Sequence, residues 1–398
     1  MQHHKNGYIM ERLLAYYHSA LQRTTSTFYR YLYYEIDWEN NMIGITGPRG
    51  IGKTTMILQH IRQSLDRQKA LYVTAEDMYF SQHTLLDLAA QLNIKQIDHL
   101  FIDEIHKYPN WSRELKLMSD YYPGLHVVFT GSSVLDIQKG ISDLSRRAVM
   151  YSMQGLSFRE YLHLFHNVSL PVYSIDAIVS HQVDATPIDN PLALFHQYLQ
   201  TGYYPFSLQR GFSQKLSQVI SQTLEVDIPV FSGMNASTGF KLKRLLSIIA
   251  ESAPFKPNFT KIATLLGVSR NAIADYILLL EEAGMAMQLR DGTGGLRALG
   301  KVEKIYLDNT NLAYQLQPER VDKGSMRETF FLNQMRLRNE VVFSGIADFQ
   351  IGDLTFEVGG RKKGQHQIEQ APKGFIVKDD IEQSMLNIIP LWHFGLNY

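Results

Sequence analysis

Residues 42–55 read MIGITGPRGIGKTT, an apolar run followed by a glycine-rich stretch that ends in lysine and threonine. The run at 42–46 has the composition of a buried strand, and the residues after it match the pattern GxxxxGK(S/T) at every fixed position. In this pattern the glycines let the backbone wrap around phosphate groups, and the following helix adds the positive end of its dipole. The stretch predicts a phosphate-binding loop between a strand and a helix.

The predicted loop indicates ATP and Mg²⁺ as cofactors. We expect the ammonium of Lys53 to reach the β- and γ-phosphates and the hydroxyl of Thr54 to bind Mg²⁺. The candidate nucleotide-binding residues are Gly47, Pro48, Arg49, Gly50, Ile51, Gly52, Lys53, Thr54 and Thr55.

A second apolar run, HLFIDE at 99–104, ends in two acids. Asp103 is expected to hold Mg²⁺, and Glu104 is expected to act as the base that polarises the attacking water. Taken alone, such a strand end fits a solvated surface equally well. The loop lysine makes the catalytic interpretation the stronger one.

The surrounding pattern predicts a parallel sheet covered on both faces, because apolar runs without polar alternation are each followed by a helix-like segment. The predicted strands are 42–46, 71–75, 100–102, 126–130 and 148–153. The run at 71–75 lies between the loop and the acid-bearing run, which favours the additional-strand class of P-loop protein, with a glutamate base. A guanine-reading NKxD motif is not evident, so Ras-like wiring is less favoured.

Three further residues are catalytic candidates. HVVFTGSS at 126–133 could place Thr130 or Ser132 beside the γ-phosphate, although a simple turn after a strand explains each residue equally well. Arg147, after Arg146, could reach a nucleotide in cis or across a subunit interface, or could simply be solvated.

These motifs together resemble the AAA-type ATPases of bacteria and archaea that carry a C-terminal domain of unknown function. The resemblance rests on GPRGIGKTT, LFIDEIHKYPNW, VVFTGSS, DLSRR and QGLSFREYL, and continues in TGYYP and KIYLDNTNLAY. The relation of that family to STAND-like switch ATPases implies a regulated machine more than a metabolic enzyme. The family has a Gly-Arg pair where this chain has two arginines, so only Arg147 matches the expected arginine.

The segment 259–290 predicts two helices, a glycine-containing turn and an exit strand, which is the pattern of a winged helix. If it reads DNA, Ser269, Arg270, Asn271 and Tyr276 would face the major groove. A protein-contact module is the favoured alternative.

The last hundred residues resemble the restriction-endonuclease fold, in which one helix glutamate and two strand carboxylates gather divalent metal. The matching residues are Glu328, Asp348 and Glu357. That fold expects a lysine at position 359, where this chain has glycine, and a lysine of the following loop GGRKKG is a possible substitute. A purely structural or decayed domain is the favoured alternative.

Composition narrows the function classes. Basic and acidic residues number 39 each, so no net positive field draws the chain to nucleic acid, and the absence of cysteine excludes disulfides and thiolate metal sites. The N-terminus has no uninterrupted apolar stretch and no later run reaches membrane-spanning length. We therefore expect a cytoplasmic protein without membrane contact.

The predicted fold class is α/β, with a P-loop NTPase core, a helical and winged-helix middle and a C-terminal α/β nuclease-like domain. The predicted segments are an N-terminal helical extension at 1–40, the ATPase core at 41–165, a linker and helical segment at 166–236, a winged-helix-like domain at 237–298 and the nuclease-like domain at 299–398. The predicted function is that of a MgATP-dependent regulatory switch acting on a protein partner or by self-association. The alternative is an ATP-gated metal-dependent nuclease or DNA-binding protein.

Overall fold

The chain forms two compact units, Met1–Gln154 and Gly155–Tyr398, in a computed structural model. The described residues are 2–131, 144, 146–235, 237–252, 254, 257–292, 301–364 and 366–398. Among them, no single helix has the length and hydropathy of a membrane span, and only one helix pair, bent by 94°, passes the same criteria when its two members are combined.

The first unit alternates strands and helices, as predicted, after a long N-terminal helix. Its elements are α1 (Gln2–Arg23), β1 (Met42–Thr46), α2 (Lys53–Ser64), β2 (Ala70–Thr74), α3 (Leu85–Ile94), β3 (His99–Asp103), α4 (Trp111–Tyr121), β4 (His126–Gly131) and β5 (Val149–Ser152), with 3₁₀ turns at Tyr31–Tyr34, Met78–Ser81 and Ile105–Lys107. The N-terminal extension, predicted to be helical, consists of one long helix and a short 3₁₀ turn.

The five strands form one parallel sheet in the order β2-β3-β4-β1-β5. Strands β1 to β4 are largely buried, as expected for a sheet with helices on both faces. The lateral order corrects one prediction: β4 lies between the loop strand β1 and the acid-bearing strand β3, whereas β2 is an edge strand. The extra strand therefore exists, and this unit is a P-loop NTPase core, but the inserted strand is the one that ends at Thr130 and Gly131.

The second unit begins with helices and ends in a mixed sheet. Its helices are α5 (Phe158–His166), α6 (Ile175–Val179), α7 (Pro191–Gln197), α8 (Phe212–Gln222), α9 (Ile228–Ser232), α10 (Ser237–Ser252), α11 (Phe259–Leu266), α12 (Arg270–Glu282), α13 (Thr310–Leu316) and α14 (Lys323–Met335), with π-helical turns at Tyr198–Gly202 and Thr223–Asp227 and a 3₁₀ helix at Leu391–Leu396. Its strands are β6 (Ala286–Arg290), β7 (Val302–Leu307), β8 (Val341–Phe343), β9 (Phe349–Ile351), β10 (Leu354–Gly359), β11 (Gly374–Lys378) and β12 (Ile388–Pro390).

Helix α5 belongs to the core of this second unit. Phe158, Tyr161 and Leu162 are fully buried in one cluster with residues of α14 and the C-terminal 3₁₀ helix, among them Phe330 and Trp392. The structure therefore divides the chain after residue 154, ahead of the predicted end of the ATPase core near residue 165.

Helices α11 and α12 meet at 94°, an angle typical of a helix-turn-helix, and β6 and β7 follow as an antiparallel pair. Gly267 lies in the left-handed region (φ 63°), which ends the first helix, and the Ser269 hydroxyl accepts from the N–H of Ala272 to begin the second. One predicted DNA-facing residue is misplaced: Tyr276 is only 6% exposed, so its ring packs inward, whereas Arg270 lies on the surface.

The mixed sheet has the order β12-β11-β10-β9-β8. Strands β8, β9 and β10 form an antiparallel meander, and β10, β11 and β12 run parallel. Helix α14 packs against β10, because its buried aromatic Phe331 stacks among Phe349, Phe356 and Phe394.

Candidate functional site

The glycine-rich loop has a backbone that only glycine adopts without strain. Gly47, Gly50 and Gly52 have φ values of 150°, 83° and 100°. A side chain at position 47 would also collide with the carbonyl oxygen of Met153. Gly52 then precedes the first residue of α2, so the loop ends at the N-terminus of a helix, as a phosphate-binding loop requires.

The ammonium of Lys53 lies inside this loop. It donates to the carbonyl oxygens of Gly47 and Pro48, each at 2.8 Å, and the residue is only 5% exposed. Both acceptors are neutral backbone groups on the loop itself. Phosphate oxygens could replace them after a change of side-chain rotamer, without any movement of the strands.

Arg30 ties the loop to other parts of the first unit. Its buried guanidinium donates to the carbonyl of Ile51, within the loop, and to the carbonyl of Gln154 at 2.7 Å. These bonds connect the loop backbone to the residue that follows β5 by two positions.

Asp103 accepts hydrogen bonds from three hydroxyl groups, each on a different element. Thr54 donates to Oδ2 at 2.7 Å, Tyr72 donates to the same oxygen at 3.0 Å, and Thr130 donates to Oδ1. Burial and the nearby Asp103 raise the pKa of Tyr72, so the phenol remains a donor. The hydroxyl of Thr54 and the carboxylate beside it are the hard oxygen donors that Mg²⁺ prefers, and one ion could contact both.

Glu104 is next in the chain and has left-handed backbone geometry (φ 53°). Its N–H donates to the hydroxyl of Thr130 at 3.3 Å, the same hydroxyl that donates to Asp103. Its Oε2 lies 3.2 Å from Nε2 of His106 and 3.9 Å from a guanidinium nitrogen of Arg49. The candidate base is therefore held by one buried imidazole and by one arginine of the loop.

The remaining candidates of the first unit are Thr55, Ser132 and Arg147. Thr55 is exposed in the first turn of α2, and Ser132 lies outside the described residues. Arg147 forms an ion pair with Asp120, with its Nε at 3.2 Å and a terminal nitrogen at 2.9 Å from the same oxygen. The catalytic assignments of Ser132 and Arg147 stay predictions.

Two of the three carboxylates predicted in the second unit share one hydrogen-bond donor. Glu328 on α14 and Asp348 just before β9 share the ammonium of Lys304, at 2.9 and 3.0 Å. The phenol of Tyr306 also donates to Glu328 at 2.8 Å. Burial raises the pKa of Glu328, and the nearby Asp348 raises it further.

Glu357 completes this carboxylate cluster from the middle of the mixed sheet. Its Oε1 pairs with the ammonium of Lys363, whereas its Oε2 is buried and has no hydrogen-bond partner among the described residues. The stem of Lys363 crosses the α-carbon of Gly359, where any side chain would lie within 2.7–2.8 Å of it. A lysine four positions later thus reaches the acid whose expected lysine is missing at position 359.

Sequence reasoning did not identify Arg30, Tyr72, His106 or Lys304 as part of either site. Arg30 and Tyr72 lie outside the family-like strings, whereas His106 and Lys304 lie within two of them, LFIDEIHKYPNW and KIYLDNTNLAY. A tyrosine or lysine within a strand carries no signal of its own in one sequence, because its neighbours depend on lateral strand order.

The sheet, the loop and the acid pair define the class of the first unit: it is a nucleotide-binding P-loop domain of AAA type. Residues 39–162 match the family model of the AAA domain, and residues 192–323 match that of a domain of unknown function, DUF8612. Each match covers less than half of the chain, so the class applies to the first unit.

Two relatives come from Methanocaldococcus jannaschii. Uncharacterized protein MJ1637 is 24% identical over 271 residues, 63% of this chain and 57% of its own length. Uncharacterized protein MJ1544 is 30% identical over 128 residues, 31% of this chain and 28% of its own length. The chain thus spans little more than half of the first relative and less than a third of the second.

Among solved structures, the chain is similar to PCH-2 of C. elegans (13% identity, TM-score 0.25, 69% of this chain and 66% of that one). It is also similar to the S. cerevisiae Hsp104-ADP complex (16% identity, TM-score 0.30, 66% of this chain and 40% of that one). Scores this low carry no argument, and the fold assignment stands on the sheet order and the loop.

Proposed function

We propose that the chain binds MgATP and hydrolyses it slowly, as a regulated switch. The observation that carries the proposal is the hydrogen bond from Thr54 to Asp103 at 2.7 Å, beside a loop whose lysine donates to two neutral carbonyls. A hydroxyl, a carboxylate and an ammonium at the N-terminus of one helix are the groups that a magnesium-bound triphosphate requires.

The loop residues bind and orient the triphosphate. Lys53 exchanges the carbonyls of Gly47 and Pro48 for oxygens of the β- and γ-phosphates, and the backbone N–H groups of the loop donate to the same phosphates. Thr54 and Asp103 would hold Mg²⁺, which neutralises charge that develops on the phosphates. Thr130 keeps the carboxylate of Asp103 in place by donating to its other oxygen.

Glu104 is the proposed base that takes a proton from the attacking water. Its carboxylate is restrained by His106 and by Arg49, which belongs to the loop itself. Phosphate binding that draws Arg49 toward the nucleotide would loosen one of these restraints. This link between the loop and the base supports a switch in which the rate of hydrolysis responds to the conformation of the site.

Two variants test the division of labour. Lys53→Ala should abolish ATP binding, measured by calorimetry, because its ammonium lies inside the loop that would hold the phosphates. Glu104→Gln should bind ATP with unchanged affinity and release no phosphate, because the amide cannot accept the proton. Equal loss of binding in both variants would refute the assigned roles.

A second candidate function is metal-dependent phosphodiester hydrolysis by the carboxylate cluster of Glu328, Asp348 and Glu357. The unpartnered, buried Oε2 of Glu357 favours it, because a buried carboxylate oxygen without a donor is costly and a metal ion would satisfy it. All three acids offer the hard oxygen that a divalent ion prefers, although their oxygens do not all lie within 4.8 Å of one another. Lys363, which crosses Gly359 to reach Glu357, could supply the missing cation.

Labelled duplex DNA incubated with the chain and Mg²⁺ or Mn²⁺ tests this second function. Cleavage that requires the metal and is lost in Asp348→Ala would support it. DNA that stays intact with every metal would refute the nuclease function.

We also propose that α11, α12 and the β6–β7 pair form a winged-helix module for protein contact, supported by the 94° helix angle and the exposed Arg270.

A further inference from the structure

One side chain in the carboxylate cluster has no role in the proposed nuclease. The ammonium of Lys304 lies 2.9 Å from Oε2 of Glu328 and 3.0 Å from Oδ1 of Asp348. Two carboxylate oxygens that converge on one point are an arrangement with which proteins hold a divalent cation. The ammonium therefore lies where these two acids would direct such an ion.

The surroundings of Lys304 keep it charged and in place. Its side chain is 17% exposed, and its ammonium lies 6.0 Å from the ring centre of Phe343. Burial lowers the pKa of Lys304, but the attraction of Glu328 and Asp348 outweighs burial and the pKa is raised. An ammonium and a divalent ion in the same position would repel each other strongly, so only one can be bound there.

The cluster still has unused capacity for a metal ion. Oε2 of Glu357 is buried without a partner among the described residues, although Oε1 is paired with Lys363. Burial raises the pKa of Glu357, and a cation close to Oε2 would offset that cost. With Lys304 in this position, one carboxylate oxygen of Glu357 therefore has no hydrogen-bond partner among the described residues.

We infer that Lys304 is a built-in cation that closes the carboxylate cluster to divalent metal ions, and that withdrawal of its strand opens the cluster. This inference rests on the second proposed function, because it assigns the regulation of the same site. Lys304 lies on β7, whose antiparallel partner β6 follows α12 after a short turn. A ligand that moves the helix pair α11–α12 would thereby change metal affinity.

Mn²⁺ titration of the full chain without nucleotide tests the inference, with free Mn²⁺ measured by electron paramagnetic resonance. Lys304→Gln should bind Mn²⁺ tighter than the wild type by about tenfold or more, because the competing charge is removed. Lys304→Arg keeps the charge and should bind like the wild type. Lys301→Gln is the matched control, because Lys301 is 76% exposed and pairs with Glu303 outside the cluster.

The double variant Lys304→Gln/Asp348→Asn tests whether the added Mn²⁺ affinity arises at this cluster. It should bind Mn²⁺ no tighter than the wild type. Thermal unfolding with and without Mn²⁺ guards against a folding defect: Mn²⁺ should raise the melting temperature of Lys304→Gln more than that of the wild type. The inference is wrong if Lys304→Gln and Lys304→Met bind Mn²⁺ no tighter than the wild type. It is also wrong if the gain in Mn²⁺ affinity persists when Asp348→Asn is added. Tighter binding without DNA cleavage would defeat the nuclease proposal alone.

Discussion

A lysine ammonium lies at the centre of each candidate site, but the two lysines are held by acceptors of different charge. Lys53 donates to two neutral carbonyls of its own loop, whereas Lys304 donates to two carboxylates on separate elements. A phosphate readily replaces a neutral carbonyl as the acceptor of an ammonium, because the phosphate carries more charge. A phosphate does not replace a pair of carboxylates in this way. The first site is therefore suited to bind an anion, whereas the second already contains a bound cation.

The largest expected effect tests the first of these two sites and concerns Asp103. Asp103→Asn keeps the size of the side chain but removes the charge opposite Thr54, so Mg²⁺-dependent phosphate release should fall by on the order of a hundredfold or more. Asp98→Asn, the same change just before the other end of β3, is the control, because Asp98 pairs only with His99 and Lys69 near the surface. Equal rates in the two variants would contradict the assigned role of Asp103.

In the second site, Gly359→Ala should destabilise the fold by about 1–3 kcal/mol, because the added methyl meets the stem of Lys363. Chemical denaturation measures the change in the free energy of unfolding. Gly364→Ala provides the comparison, since the structure leaves open space around that position. If both variants are equally stable, Lys363 does not depend on the glycine for its path to Glu357.

A smaller effect is expected from His106→Leu, which replaces the imidazole beside Glu104 by an apolar side chain of similar size. The turnover number should fall by about tenfold with ATP affinity unchanged, because the base is less well oriented but still present. His99→Leu, on the same strand as Asp103, serves as control. A change in KM with an unchanged turnover number would show that His106 acts on binding instead.

The smallest effect concerns the ion pair of Arg147 and Asp120, whose side chains are 31% and 44% exposed. Asp120→Ala should lower the free energy of unfolding by less than about 1 kcal/mol and leave hydrolysis unchanged. Arg147→Ala should match it in stability. Any additional loss of phosphate release in Arg147→Ala measures the contribution of this arginine to the nucleotide site, and no additional loss removes it from the candidates.

The sequence predicted the local parts of the first unit well, because motif and context are adjacent in the chain. The strand before Gly47, the helix that begins at Lys53 and the two acids at the end of HLFIDE all follow from a few consecutive residues. Lateral strand order does not, since it depends on how the crossovers pack. That is why the strand at 70–74 was expected between the other two strands and is found at the edge of the sheet.

The second unit shows the same limit. Glu328, Asp348 and Glu357 were predicted as a group; the structure joins Glu328 and Asp348 through one ammonium and pairs Glu357 with another, and these cations were not fully predicted. A lysine from the GGRKKG loop was anticipated. Lys304 was not, because only the tertiary packing of β7 brings it to Asp348, whose position in the chain is distant.

Arg30 joins two backbone oxygens that are far apart in the chain, one at Ile51 in the phosphate loop and one at Gln154, the last residue of the first unit. A single rigid guanidinium cannot follow one of these oxygens without pulling on the other. A shift of the Ile51 carbonyl on binding of an anion would therefore also act on the backbone at Gln154, where the first unit ends.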